Sequence, residues 1–288
     1  MAQANHLEQG YADVLEPHYI PAPPVSPPLP GWLLTWERIR PRWLMELIAE
    51  SFGVFLYTFF GVGATAAFVF GGFLKEDGIG NILTIGLAYG LGIVFAIIAA
   101  APTSGGHLSP GYTIAFAVFK GFSWKKVPLY IIAQIFGGFI AVLLVYAQYR
   151  QAFVQVDTAL AAAGPAGNLI KFSPTGNAGI LAIFPQTGQK LGYVFLNEFV
   201  CCFILAFLVA TILDASNFFV SYTSAPWLIG LAYTVIIWGF SADTVVLNTA
   251  RDLGGRFACG VIYGSDCFPT KYSALAALTN IPATIVCF

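Results

Sequence analysis

From Asn81 to Phe119 the chain carries no Asp, Glu, Lys or Arg. The run is long enough to cross a bilayer, yet Pro102, Gly105, Gly106, His107 and the pair Ser109-Pro110 interrupt it. With about 20 apolar residues needed per crossing, the polarity pattern predicts six spans. They cover roughly residues 43–72, 81–101, 127–149, 191–213, 226–243 and 271–288. The last is short and reaches Phe288 without a polar flank, which reads as chain missing beyond it. Two further apolar stretches, 109–119 and 248–259, are too short to cross.

Each short stretch carries helix start and stop signals. Ser109 suits an N-cap, and Pro110 suits the first helical position, where its missing N–H does no harm. Lys120 falls in the last turn and Gly121 just beyond it, both suited to a C-terminus. Asn248 is the second cap, and Gly260 marks the second end. The cap-to-glycine distance is 12 residues in both. Such a half-helix rises roughly 16 Å, about half of a ~30 Å hydrocarbon core.

The chain also repeats itself. GLAYGLGIVFAIIA (86–99) resembles GLAYTVIIWGFSA (230–242), and AESFGVFLYTFF (49–60) echoes LNEFVCCFILAF (196–207), with Glu50 and Glu198 in matching places. Three spans separate the copies, so the second enters the membrane upside down. Inverted repeats with interrupted helices are a transport architecture. The two half-helices are then expected to meet N-terminus to N-terminus at the midplane, their positive ends together. Segments 103–108 and 243–247 become non-helical feet, tolerated at that depth only where they line a cavity or are buried in protein. Their carbonyls face a hydrogen-bonding solute.

Composition agrees. Hydrophobic residues make up 58% and charged residues 9%, against about 25% charged in a soluble domain; mean hydropathy is +0.76. This excludes a disordered chain and argues against a soluble enzyme. The formal charge of −1 gives no reason to expect nucleic acid as a partner. Residues 1–42 read as a disordered, proline-rich cytoplasmic tail, with seven prolines between Pro17 and Pro30. Arg38, Arg40, Arg42, Lys120, Lys125 and Lys126 place the N-terminus in the cytoplasm by the positive-inside rule. Cys201, Cys202 and Cys287 read as small packing residues. Cys259 and Cys267 lie near one membrane face, where free thiols are the favoured reading and a disulfide the open alternative. No cysteine has metal-ligand spacing, no phosphate-binding glycine loop is visible, and no metal or cofactor is implied.

At this point SGGHLSPGYT and LNTARDLGGR resemble the two signature loops of the major intrinsic proteins, the aquaporins and aquaglyceroporins. The family pattern is Asn-Pro-Ala in each loop. Here the motifs are Ser109-Pro110-Gly111 and Asn248-Thr249-Ala250. The resemblance spans residues 43–288 and implies an all-α membrane fold. That fold has six transmembrane helices plus two half-helices in an inverted repeat (43–149 and 191–288), joined by an extracellular loop, 150–190. It leans toward the aquaglyceroporin branch and toward its fungal members. Asp252 and Arg256 resemble that branch, as does the long third loop.

The resemblance also assigns roles. Arg251 lines the narrowest point with Tyr89, Val245 and Ile237, Ile236 being the alternative register. The carbonyls of Gly105, Gly106, His107, Thr244 and Val246 line the pore. Glu50 and Glu198 hold the loop backbones, and His107 braces the first loop. Water-selective members place a histidine on span five; this chain has only His6, His18 and His107. The function implied is passive conduction of glycerol and small neutral solutes with water, excluding protons and ions, in a homotetramer of the plasma membrane. It is a channel and not an enzyme. The rivals are a water-dominant channel, a coupled secondary transporter showing ion-dependent saturable flux, and a non-conducting membrane protein with a pore too narrow for water.

Overall fold

A computed structural model describes residues 30–75 and 78–288. The predicted tail up to residue 29, with His6 and His18, lies outside the described residues. The described residues up to Pro41 and those from Arg42 on form two units. In the first, Gly31–Ile39 is a helix, α1, although the sequence reads as tail there. Pro30 precedes it, and Trp32, Leu34 and Trp36 are exposed on its surface.

In the second unit the predicted spans form within a few residues of their expected bounds. They are α2 (Arg42–Leu74), α3 (Ile82–Ser104), α5 (Val127–Gln148), α9 (Leu191–Ile212) and α10 (Ala225–Phe240), each long and apolar enough to cross a membrane. The sixth span is two helices in tandem, α12 (Thr270–Leu278) and α13 (Asn280–Cys287). Thr279 between them keeps helical angles, with φ −61° and ψ −37°. The interruption traces to Pro282, which has no N–H to return to Leu278. Between the spans lie the half-helices α4 (Pro110–Phe119) and α11 (Thr249–Tyr263). Segment 150–190, read from sequence as a loop, carries α6 (Arg150–Ala162), α7 (Gly164–Lys171) and α8 (Asn177–Leu181).

The outer surface is apolar, unlike that of a soluble protein, and several charged or polar groups are buried within the hydrophobic core. Ile98, Ile132, Leu196 and Trp227 are exposed, while Glu50, Gln134, Glu198, Arg251, Asp252 and Arg256 are buried. The outer surface therefore suits lipid, and the polar groups lie inside, paired with one another.

The repeated Gly-Leu-Ala-Tyr segments pack on each other. A Cβ on Gly90 would sit 2.6 Å from the Gly230 carbonyl, and one on Gly230 would sit 2.5 Å from the Gly90 carbonyl. The absence of side chains there lets α3 and α10 touch backbone to backbone, as small residues do at helix crossings in membranes. Thr234 Oγ1 donates to the Gly86 carbonyl at 3.1 Å and fastens the same crossing.

Three expectations change here. α3 runs through Pro102 to Ser104, where Gly105 takes the left-handed conformation at φ 93°. α11 runs past Gly260 to Tyr263, so its 15 residues rise roughly 22 Å rather than 16 Å. Gly260 serves packing instead of a stop, since the Phe268 ring lies where its Cβ would be. Cys259 and Cys267 are disulfide-bonded, with Cα atoms 5.8 Å apart. A 3₁₀ turn, Gly264–Cys267, folds the chain back and brings the second sulfur to the first.

Substituting Gly230→Val is expected to lower stability by about 1–3 kcal/mol through overpacking. A falling thermal midpoint of the detergent-solubilised protein, followed by loss of its monodisperse chromatographic peak, would register it. An unchanged midpoint would mean that the α3–α10 crossing can open at no cost.

Candidate functional site: a passage between the two half-helices

The cap of the second half-helix bonds the residue just before the cap of the first. Asn248 Nδ2 donates to the Leu108 carbonyl at 2.8 Å. Asn248 also caps α11, its Oδ1 accepting from Ala250 N at 2.9 Å. Ser109 occupies the cap position of α4 but makes no side-chain cap bond. Its short side chain is free, and Pro110 sets the entry to the helix instead. Thr249 replaces a proline of the family motif and uses its hydroxyl, which lies 2.7 Å from the Ala277 carbonyl and 2.8 Å from Asn280 Oδ1, its single proton serving one or the other. Gly111 lies against Thr284 of α13.

The same construction holds both feet. Glu50 Oε1 accepts from His107 N at 2.9 Å, and Oε2 from Leu108 N at 2.7 Å. Glu198 Oε2 accepts from Val246 N at 2.8 Å, and Oε1 from Leu247 N at 2.6 Å. In each case the acceptor takes the two N–H groups just before the cap. Leu108 and Leu247 are both held at positive φ, 54° and 61°, a conformation a leucine rarely adopts. All these peptides are trans, so each N–H turned toward a glutamate sends the carbonyl of the preceding residue the other way. The carbonyls so aimed are those of Gly106 and His107 in one foot and Val245 and Val246 in the other. Val245 was absent from the sequence-based set of carbonyls. The Thr244 carbonyl, which was in it, is engaged by Asn197 Nδ2 at 3.0 Å. That bond needed a polar residue on α9 facing the foot, and Asn197 beside Glu198 was the signal.

Glu50 has two more partners, Ser104 Oγ at 2.6 Å and Gln134 Nε2 at 2.7 Å. Glu198 has the Cys202 thiol, with Sγ 3.4 Å away. His107 is packed among Phe116, Phe122 and Tyr130, with ring centroids 4.5–5.1 Å away, and its Nδ1 is 3.3 Å from Thr113 Oγ1. That is a bracing position; no cluster suited to a metal ion occurs among the described residues.

Two cavities lie beside the caps. The larger, about 500 Å³, is lined among others by Tyr89, Ile237, Thr244, Val245, Val246 and Arg251. Ile237 lines it and Ile236 does not. The smaller, about 130 Å³, is lined by residues 105–109 together with Tyr112 and Phe116. In the larger, Arg251 Nε and Nη2 both donate to the Tyr89 hydroxyl, at 3.1 and 2.9 Å, and Nη1 reaches the Leu181 carbonyl at 3.4 Å. Three of the five guanidinium N–H groups are thus used and two remain. Behind it, Arg256 Nε pairs with Asp252 Oδ2 at 2.7 Å, and Nη2 donates to the Ile183 carbonyl at 2.6 Å. Arg256 Nη1 also reaches the Cys267 carbonyl at 3.2 Å. Sequence reasoning missed Leu181 and Ile183, whose backbone carbonyls leave no residue-type signal.

Six spans, two half-helices meeting cap to cap and a lined passage beside them define a transmembrane channel fold. The chain belongs to the major intrinsic protein family: the model of that family, described as "Major intrinsic protein", matches residues 37–267. It is 45% identical over 261 residues to "Aquaporin-3" of Laccaria bicolor, covering 89% of this chain and 79% of that one. It is 36% identical over 214 residues to the "Glycerol uptake facilitator protein" of Haemophilus influenzae, covering 73% and 76%. The solved structure of the aquaglyceroporin from Plasmodium falciparum shares the fold, with a TM-score of 0.71 at 24% identity, covering 85% of this chain and 93% of that one.

Glu198→Gln is expected to exchange one acceptor oxygen for an NH₂ that opposes a backbone N–H. The loss should be about 1–3 kcal/mol, read as a lower thermal midpoint and a lower solute flux together. Full stability and flux in this variant would show that the carboxyl does not hold the foot.

Proposed function

We propose that the protein is a passive channel conducting glycerol and other small neutral solutes together with water, while excluding protons and ions. The observation that carries this reading is the mixed lining beside Arg251. The guanidinium and the second foot bring polar groups to the same cavity as the apolar Ile237 and Val245 side chains and the Tyr89 ring. A polyol has the same mixed character, hydroxyls alongside C–H groups. Ile237 stands where a water-selective filter would carry histidine, so the wall on that side is apolar. Ion exclusion follows from charge: the two half-helix N-termini and Arg251 all present positive potential to the passage.

In this reading Tyr89, Ile237, Val245 and Arg251 form the filter, with Asp252 and Arg256 behind it. Gly105, Gly106, His107, Thr244 and Val246 belong to the pore-lining feet, with Val245 added. Glu50 and Glu198 orient those feet. Flux follows the concentration gradient and needs no cofactor or covalent step. The N-terminus is cytoplasmic and segment 150–190 extracellular. The membrane is the plasma membrane, and the assembly is a homotetramer with one pore per protomer, both on the family likeness. A relative named for glycerol uptake supports the choice of solute.

Stopped-flow swelling of proteoliposomes tests the assignment: glycerol influx should exceed that of empty vesicles by roughly tenfold or more, equivalent to ~1.4 kcal/mol or more off the barrier. Influx equal to empty vesicles, with folded protein present, would remove glycerol as a solute. In the same vesicles Arg251→Ala is expected to raise proton or cation leak by roughly tenfold, since it deletes a fixed positive charge from the narrow wall. A leak equal to wild type would take Arg251 out of the filter.

A further inference from the structure

The two cavities meet at four side chains. Tyr57, Ile93, Tyr233 and Asn248 line both of them, so a solute passing from one to the other goes between these residues. The two repeats bring unequal chemistry to that point. The second supplies the Asn248 amide, with one N–H fixed on the Leu108 carbonyl and the other unassigned. The first supplies Ser109, which carries a single hydroxyl on a short side chain, makes no cap bond and lines only the smaller cavity. No amide from the first half-helix reaches the junction.

Tyr57, on α2, does reach it. The residue is only 4% exposed. Its phenol oxygen is buried and has no hydrogen-bond partner among the described residues. A buried hydroxyl left unmet is costly, and native structures seldom keep one without a use. Tyr233, from the second repeat, lines the same point. Two tyrosines and the Asn248 amide thus surround the neck.

We propose that the Tyr57 hydroxyl is the first repeat's partner for a solute at this neck, in place of the amide that Ser109 lacks. With Tyr233 it makes the neck a second point of selection, favouring small solutes that carry adjacent hydroxyl groups. The unassigned Asn248 N–H can only donate, whereas a phenol both donates and accepts. A diol or triol therefore places one oxygen on Asn248 and pairs its neighbouring hydroxyl with Tyr57 in either direction. The rings of Tyr57 and Tyr233 set the bore. This inference rests on the channel reading above and adds a selection point at the caps, built from Tyr57, Tyr233 and Asn248.

The test uses the full chain in proteoliposomes, with water and glycerol permeability measured on each preparation. Tyr57→Phe keeps the ring and removes the oxygen. Its glycerol-to-water permeability ratio should fall about tenfold, the effect of one missing hydrogen bond at a barrier. Tyr57→Val removes the ring and should admit a five-carbon alditol that the wild type excludes. A ratio equal to wild type in Tyr57→Phe overturns the proposal, and so does continued exclusion of the alditol by Tyr57→Val. Should the Tyr57 variants prove unfolded by chromatography, Tyr233→Phe is read for the same fall in ratio, and no change there overturns the proposal equally. Wild-type vesicles without glycerol flux would instead sink the polyol reading itself, a result separate from an unchanged ratio in a conducting channel.

Discussion

Glu50 and Glu198 each accept from two consecutive backbone N–H groups, those of the residues just before a half-helix cap. Much of the passage depends on that arrangement. A trans peptide cannot turn its N–H to one side without turning the linked carbonyl to the other. Fixing the donors on a buried carboxyl therefore fixes a row of acceptors facing away from it. The bonds also hold Leu108 and Leu247 at positive φ, a conformation that leucine would leave if released. The carboxyl groups benefit in turn, because one buried without donors is expensive in an apolar surrounding. Foot and glutamate thus stabilise each other, and neither is stable at that depth alone.

Much of this frame is legible in the sequence because it is written in residue types with strong local meaning. Charge-free runs give the spans. Ser109-Pro110 and Asn248 mark the half-helix starts through capping chemistry. The two Gly-Leu-Ala-Tyr segments give the inverted repeat, and their glycines make the α3–α10 crossing. What stays illegible depends on backbone atoms or on tertiary folding. The carbonyls of Leu181 and Ile183, which receive Arg251 and Arg256, leave no mark in the sequence. The bond between Cys259 and Cys267 requires the 3₁₀ turn that reverses the chain between them. The helices of segment 150–190 did leave a trace: Phe153, Val156 and Leu160 are buried at helical spacing. That periodicity is short and Ala-rich, and it is easily read as loop beside the long spans.

Arg251 shows how a charge is kept at such a depth. Its guanidinium lies between the Tyr89 hydroxyl and the Leu181 carbonyl, so that most of its donors are met before any solute arrives. Two of its N–H groups remain beyond these bonds, in a residue that lines the larger cavity. The Asp252–Arg256 pair is buried one turn further along α11. It ties α11 to the segment carrying Ile183 and to the Cys267 carbonyl. Replacing one member alone would strand a buried charge, so the pair works as a unit that holds the face bearing Arg251 in register.

The repeats are symmetric in their scaffold and asymmetric in their chemistry. Both carboxyls hold a foot, both feet end in a positive-φ leucine, and both half-helices start at the same contact. Yet the second cap bonds its own helix and the opposing foot, while the first does neither with its side chain. A two-fold pair of amides would present two donors and no acceptor to whatever passes. A single amide facing phenol hydroxyls presents donors together with acceptors, which is a poorer match for a lone carbonyl oxygen and a better one for an alcohol. The loss of amide symmetry at Ser109 and the presence of tyrosines at the neck are therefore best understood together. The scaffold keeps its two-fold geometry because the carboxyl–backbone bonds demand it. The lining is free to depart from symmetry because no structural bond depends on the Ser109 side chain.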